Sequence, residues 1–244
     1  MAELDSPFSL PTGQRVYAIG DIHGMSTALR RILDLIDRHL EENPPAGPVT
    51  EVFLGDYVDR GPDSFGVIEQ LLRPPRGRNR VCLLGNHEDA MIAASQSPSQ
   101  MERWLRFGAP ATLRSYGIDG GKLRWDPHAL QSSFAEAIPQ RHQAFFRGLE
   151  RTIRLGDLFF VHAGIRPQIA LAQQDPDDLI WIRHEFLDFP GALPVHVVHG
   201  HTPVVQVERQ AYRTNVDTGA VFGGALTAAV LEGSAAKFLS VPTA

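Results

Sequence analysis

Five short stretches gather the side chains able to do metal or acid–base chemistry: Gly20-Asp21-Ile22-His23-Gly24, Gly55-Asp56-Tyr57-Val58-Asp59-Arg60-Gly61, Gly85-Asn86-His87-Glu88, Val161-His162-Ala163-Gly164 and His199-Gly200-His201-Thr202. They offer carboxylate, imidazole and carboxamide groups and no thiolate. That mixture suits Mn²⁺, Fe or Zn²⁺ in an oxygen- and nitrogen-rich site. Asp21 and His23 are two residues apart, so an extended backbone points them the same way. Asp56 has two oxygens to share between two ions, and Asn86, His162 and His201 suit the second of them. Two ions about 3.5–4 Å apart lower the pKa of a shared water and clamp both ends of a phosphoryl displacement. Each stretch alone has a plainer reading. Asp21 or Asn86 would serve as a helix cap, and His162 as a buried imidazole satisfied by hydrogen bonds. What favours the chemical reading is that all five occur in one chain, in the same kind of place.

That place is the end of an apolar run. Val16–Ile19 leads into the first stretch, Glu51–Leu54 into the second and Val81–Leu84 into the third. Each run is followed by a segment of helical periodicity: about Ala28–Leu40, then Val67–Leu72, then a helix through Met91 and Ile92. Strand, loop and helix repeated in this way predict βαβ units in a sheet buried on both faces. In such sheets ligands bind at the carboxyl ends of the strands. From about Gln96 to Glu150 the texture changes to mainly helical, with Trp104, Phe107, Trp125, Phe134, Phe145 and Phe146. This is read as a lid or wall inserted into a single domain spanning 1–244. Strands return at Ile153–Leu155, Leu158–Val161, Val195–Val198, Tyr212–Val216 and Leu226–Leu231, with hairpin turns at Gly156–Asp157 and Glu232–Gly233. Connections this short require antiparallel pairs, so the sheet is expected to be mixed.

Composition sets limits. The 244 residues are 43% hydrophobic and 21% charged, which excludes general disorder. A net charge of -5 argues against a nucleic-acid binder. A single cysteine, Cys82, excludes an intrachain disulfide and a cysteine-built zinc site. Met1–Pro11 carries Glu3 and Asp5 with no basic, then apolar, pattern, and no apolar stretch reaches the roughly 20 residues of a membrane helix. The expectation is a cytoplasmic protein with neither membrane nor nucleic-acid partners.

The five stretches resemble those of the calcineurin-like metallophosphoesterases, and within them the serine/threonine phosphoprotein phosphatases, from Gly20 to about Ala228. The resemblance implies an α/β fold, a four-layer α/β/β/α sandwich of two mixed sheets with helices outside. It implies two divalent ions, Mn²⁺ foremost with Fe or Zn²⁺ as alternatives. Asp21, His23 and bridging Asp56 would hold one ion, and Asp56, Asn86, His162 and His201 the other. It further implies His87 as general acid paired with Asp59, Arg60 and Arg183 as phosphate grips, and a hydroxide activated by both ions as the attacking group. A serine alkoxide leaves poorly without a proton, and arginine's planar fork matches two phosphate oxygens. His199 is read as packing beside the site, and Cys82 as an inert core residue.

Asp59 and Glu88 match the protein phosphatase pattern. Leu84 and Ala163 stand where eukaryotic members carry Arg and Gly, which points to the bacterial-type branch. The expected substrate is a phosphorylated protein or a small phosphoester, with removal of phosphate from phosphoserine or phosphothreonine as the reaction. Two alternatives remain: a hydrolase of dinucleoside polyphosphates such as diadenosine tetraphosphate, and a non-catalytic, metal-holding module that binds phosphorylated partners.

Overall fold

The computed structural model describes residues 8–243. Two five-stranded mixed sheets carry the molecule. The first runs in the order β10-β9-β1-β2-β3, formed by β1 (Arg15–Ile19), β2 (Val49–Phe53), β3 (Asn79–Cys82), β9 (Ala225–Glu232) and β10 (Ala235–Pro242). Strands β1, β2 and β3 are parallel, and β9 and β10 join antiparallel. The second runs β4-β5-β6-β8-β7, formed by β4 (Thr152–Leu155), β5 (Leu158–Val161), β6 (His196–His199), β7 (Glu208–Arg209) and β8 (Arg213–Asn215). Here β5, β6 and β8 are parallel, with β4 and β7 antiparallel at the edges.

Strand periodicity explains the layering. Along β1, Val16 and Ala18 face one way and pack with Val52, Leu158, Phe160 and Val198, so the two sheets meet face to face. Tyr17 and Ile19 face the other way, onto α1 (Ser26–Glu42) and α2 (Ser64–Leu71), through Leu29, Ile32, Ile36, Val67 and Ile68. On the far side, Phe159, Val161 and Val197 of the second sheet are covered by α8 (Asp178–Trp181) and α9 (His184–Leu187), through Leu179, Ile180 and Phe186. Both sheets are thereby buried on both faces, and helices lie outside them.

The stretch between β3 and β4 holds α3 (Asn86–Gln96), α4 (Pro98–Leu105), α5 (Ala109–Ser115), α6 (Pro127–Ala137) and α7 (Gln140–Arg147). These helices share a core with the first sheet: Trp104 and Phe134, both fully buried with ring centroids 5.0 Å apart, belong to the same cluster as Tyr17 and Phe53. The segment is a wall built into the body of the protein rather than a flap over it.

Strand bounds shift by one or two residues in several places, and β3, β7 and β10 depart most from the sequence expectation. β3 begins and ends two residues earlier than the Val81–Leu84 run, because Leu83 turns away to bridge Glu150 in parallel. β7 and β10 carry no clear apolar signal. β7 is two residues long, and β10 is an edge strand with Lys237 and Ser240 exposed. Among the described residues no helix is long and apolar enough to cross a membrane.

Candidate metal and phosphate site

All five motif loops lie at strand carboxyl ends and converge where the edges of the two sheets meet. Asp21 and His23 follow β1, Asp56 follows β2, and Asn86 and His87 open α3 after β3. His162 follows β5 and His201 follows β6, so the second sheet contributes the rest. The backbone is forced to reach this arrangement. His23, Asp56, Asp59, Arg60 and His201 all have φ between 46° and 74°, the left-handed region that side chains other than glycine rarely adopt. Among the described residues, five of the eight such residues lie in these loops, so the strain is concentrated at the site. Glycine is required at Gly200, where a Cβ would collide with an Asp21 carboxylate oxygen, and at Gly85, where it would collide with Asp56.

Asp56 is central. Its Oδ2 lies 3.5 Å from His23 Nε2 and its Oδ1 lies 3.4 Å from His162 Nε2, so its two oxygens address different histidines. The outward nitrogens are set by backbone bonds on the inner ones. His23 Nδ1–H donates to Val58 O, and His162 Nδ1–H donates to Leu54 O, both at 2.8 Å. Each Nε2 therefore presents a lone pair to the site. His162 Nε2, Asn86 Oδ1 and His201 Nδ1 stand 3.0–3.2 Å apart in a triangle. A set of acceptors converging at that spacing suits a cation. Burial holds His23 and His201 neutral, pushing them down to about 3 and about 2, and it lowers His162 too. Burial opposes the Asp56 anion, but the imidazoles of His162, His87, His23 and His201 together hold its carboxyl well below the usual range. Neutral imidazoles around an ionised carboxylate are the forms a metal ion takes. The donor set thus fits two divalent ions sharing Asp56.

Asp21 sits beside this cluster, both carboxylate oxygens accepting the His201 amide at 3.2 Å. Burial, then Asp217 and Asp56, raise its carboxyl. Arg60 brings a guanidinium nitrogen against His23 Nε2, and its guanidinium carbon lies 5.4 Å from the Phe222 ring centroid. Arg183 is exposed, with Nη1 3.5 Å from Thr202 Oγ1, and like Arg60 it is close enough to act on the Asp217 carboxyl.

His87 is buried, and its Nδ1–H donates to Asp59 Oδ2 at 2.8 Å. Its Nε2 looks toward Asp56, 3.9 Å from Oδ2. Burial works against the imidazolium, but Asp56 and the Asp59 hydrogen bond outweigh it and raise His87. His87 thereby groups with His23 and Asp56 in one potential ligand triad, a closeness that sequence spacing did not reveal.

Several contributors were not visible in sequence. In the sequence Glu88 is only one letter of the Gly-Asn-His-Glu pattern. Its carboxylate accepts the amides of Asp56, Tyr57, Val58 and Gly85 at 2.7–3.2 Å and so clamps two of the loops together. Burial, then the Asp56 charge, pushes it up to about 8, while His87 and the Tyr57 and Val58 amides pull the other way. Asp217 is buried near Asp21 and is raised to about 6 by burial, while its Oδ1 accepts the Gly219 amide. The remaining histidines lie apart. His199 Nδ1 bonds Gly200 O and its ring packs on Phe186, whereas His142 links Tyr116 to Glu69.

Comparison with known proteins points to one family. The calcineurin-like phosphoesterase family matches residues 14–224. Serine/threonine-protein phosphatase 1 of Salmonella typhimurium is 30% identical over 223 residues, covering 90% of this chain and 93% of that protein. The asymmetrical bis(5'-nucleosyl)-tetraphosphatase PrpE of Bacillus mycoides is 26% identical over 228 residues, covering 86% and 87%. A crystal structure provisionally named a diadenosine tetraphosphatase superposes with a TM-score of 0.66 at 26% identity, covering 94% of each chain. The cold-active protein-tyrosine phosphatase of a psychrophilic Shewanella shares the fold, with a TM-score of 0.64 at 16% identity over 96% of this chain and 83% of that one.

Proposed function

The chain belongs to the calcineurin-like phosphoesterase family and is a metallophosphoesterase, and from that premise we propose that it removes phosphate from phosphoserine and phosphothreonine. The observation that carries this reading is the enclosed Asp59–His87 pair. An alkoxide leaving group needs a proton in the transition state, and a positioned imidazole supplies one.

The roles we assign combine the family resemblance with this geometry. Asp21, His23 and Asp56 hold one divalent ion, and Asp56, Asn86, His162 and His201 hold the second. When bound, such ions neutralise phosphate charge and lower the pKa of a shared water. Arg60 and Arg183 grip phosphate oxygens with planar donor forks. His87 keeps Nδ1 on Asp59 and gives the Nε2 proton to the leaving oxygen. Within this reading the chain is one domain whose helical wall, about 96–150, borders the site.

Hydrolysis of dinucleoside tetraphosphates is the second reading, favoured by the PrpE relatives and by the 0.66 superposition. A nucleotide leaving group has a low pKa and needs less acid help. The two readings separate by measuring kcat/KM for a phosphothreonine peptide and for diadenosine tetraphosphate on one Mn²⁺-loaded preparation. A large preference for the peptide supports the phosphatase reading; a large preference for the dinucleotide overturns the substrate assignment and keeps the metal chemistry.

A further inference from the structure

The helical wall reaches into the acid pair. Asp59 Oδ2 accepts not only His87 Nδ1–H but also Trp104 Nε1–H, at 2.8 Å. Asp59 Oδ1 accepts the Thr112 hydroxyl at 2.7 Å. That hydroxyl has one proton, and with it committed to Oδ1 its lone pairs accept the Asp59 amide at 2.8 Å and the Ser64 hydroxyl at 2.9 Å. The Asp59 carboxylate therefore has three donors and no competing acceptor. Trp104 and Thr112 are fully buried, on α4 and α5, 45 and 53 residues along the chain from Asp59. Between them they hold a residue whose φ is +74°, a strained conformation that persists only when its surroundings over-determine it.

We propose that Trp104 and Thr112 are positioning residues for proton delivery: they fix the Asp59 carboxylate, and through it the direction of His87 Nε2. The wall between β3 and β4 is on this account a working part of the acid. The inference rests on the reading of His87 as general acid and goes one layer beyond it. Outer partners that orient metal-ligating imidazoles contribute about 10- to 100-fold, and the same order is expected for these two.

The test compares a simple alkyl phosphate, whose leaving group needs the proton, with p-nitrophenyl phosphate, whose leaving group does not. Thr112→Val keeps shape and removes the hydroxyl; Trp104→Phe keeps an aromatic ring and removes the N–H. Each is expected to lower kcat on the alkyl ester about 10-fold more than on the aryl ester, with KM little changed. Thr112→Ser is expected to restore the alkyl rate, which a packing role for the lost methyl would not allow. Equal loss on both esters, or a Thr112→Ser variant as impaired as Thr112→Val, overturns the inference when His87→Asn in the same assay separates the two esters. A His87→Asn variant that itself fails to separate them removes the general-acid reading and this inference with it. Loss of fold in Thr112→Val leaves Trp104→Phe to decide by the same criterion.

Discussion

Asp59 Oδ2 and His87 Nδ1 lie 2.8 Å apart with both side chains out of solvent. A pair so enclosed leaves the other ring nitrogen, Nε2, facing Asp56 at 3.9 Å. Replacing His87 by Asn is expected to reduce turnover of an alkyl phosphate by about 10²- to 10⁴-fold and that of p-nitrophenyl phosphate far less. Bound metal, measured by elemental analysis, should stay at the wild-type level. A variant that loses metal in step with activity would instead make His87 a ligand, the role its place beside His23 and Asp56 also allows.

Asp56 divides its oxygens between His23 and His162. Asp56→Asn replaces one of those oxygens by an amide nitrogen that cannot ligate. The expected outcome is loss of both ions rather than one, with activity falling to background. An active Asp56→Asn protein with two bound ions would refute the shared-ligand assignment.

Metal supply should govern stability as well as rate. An ion that binds only the folded chain stabilises it by about 2.7 kcal/mol at a free concentration 100 times Kd. Dialysis against a chelator is expected to abolish activity and lower Tm, and Mn²⁺ is expected to restore both. A melting temperature indifferent to chelator and to added Mn²⁺ would contradict the assignment.

Glu88 accepts four backbone amides from two loops. In Glu88→Gln the NH₂ turns a donor toward amides that need acceptors. Unmade buried hydrogen bonds cost about 1–3 kcal/mol each, so a stability loss of roughly 2–4 kcal/mol by urea unfolding is expected. Metal affinity should fall with it, since the clamped backbone carries Asp56. A stability change below about 1 kcal/mol would mean that the clamp is dispensable.

Cys82, at the end of β3, has its thiol pushed up to about 12 by burial. The nucleophilic thiolate is therefore essentially absent at neutral pH. Native protein should react negligibly with a disulfide reagent at pH 8, and Cys82→Ala should keep kcat/KM within about two-fold of wild type, as for most substitutions away from a site. A large loss would argue for a covalent thiophosphate route.

Legibility in the sequence follows interaction range. The parallel strands β1 and β2 are readable because their apolar runs are buried on both faces and end at Gly20 and Gly55. The candidate ligands are readable because each sits within a few residues of such an end. β10 is not, because exposed Lys237, Ser240 and Pro242 on this edge strand interrupt the apolar pattern of both its faces. The bonds of Trp104 and Thr112 to Asp59 have no local signal at all: 45 and 53 residues separate the partners, and only the docking of α4 and α5 against the loop creates them. The hand of Glu88 on four amides is hidden for a related reason. It depends on backbone turns, at Asp56 with φ +54° among others, that no residue type advertises.

The two sheets contribute different halves of the candidate centre, with Asp21, His23, Asp56 and Asn86 from the first and His162 and His201 from the second. The first sheet also closes only when β9, near the far end of the chain, pairs with β1. During synthesis, a nascent chain that has emerged as far as α7 has four of the six groups and no partner sheet. On the proposed reading, tight capture of two ions waits until both sheets have formed and docked. Metal uptake becomes a late checkpoint, rewarding chains that have docked both sheets and leaving misassembled ones unloaded and inert.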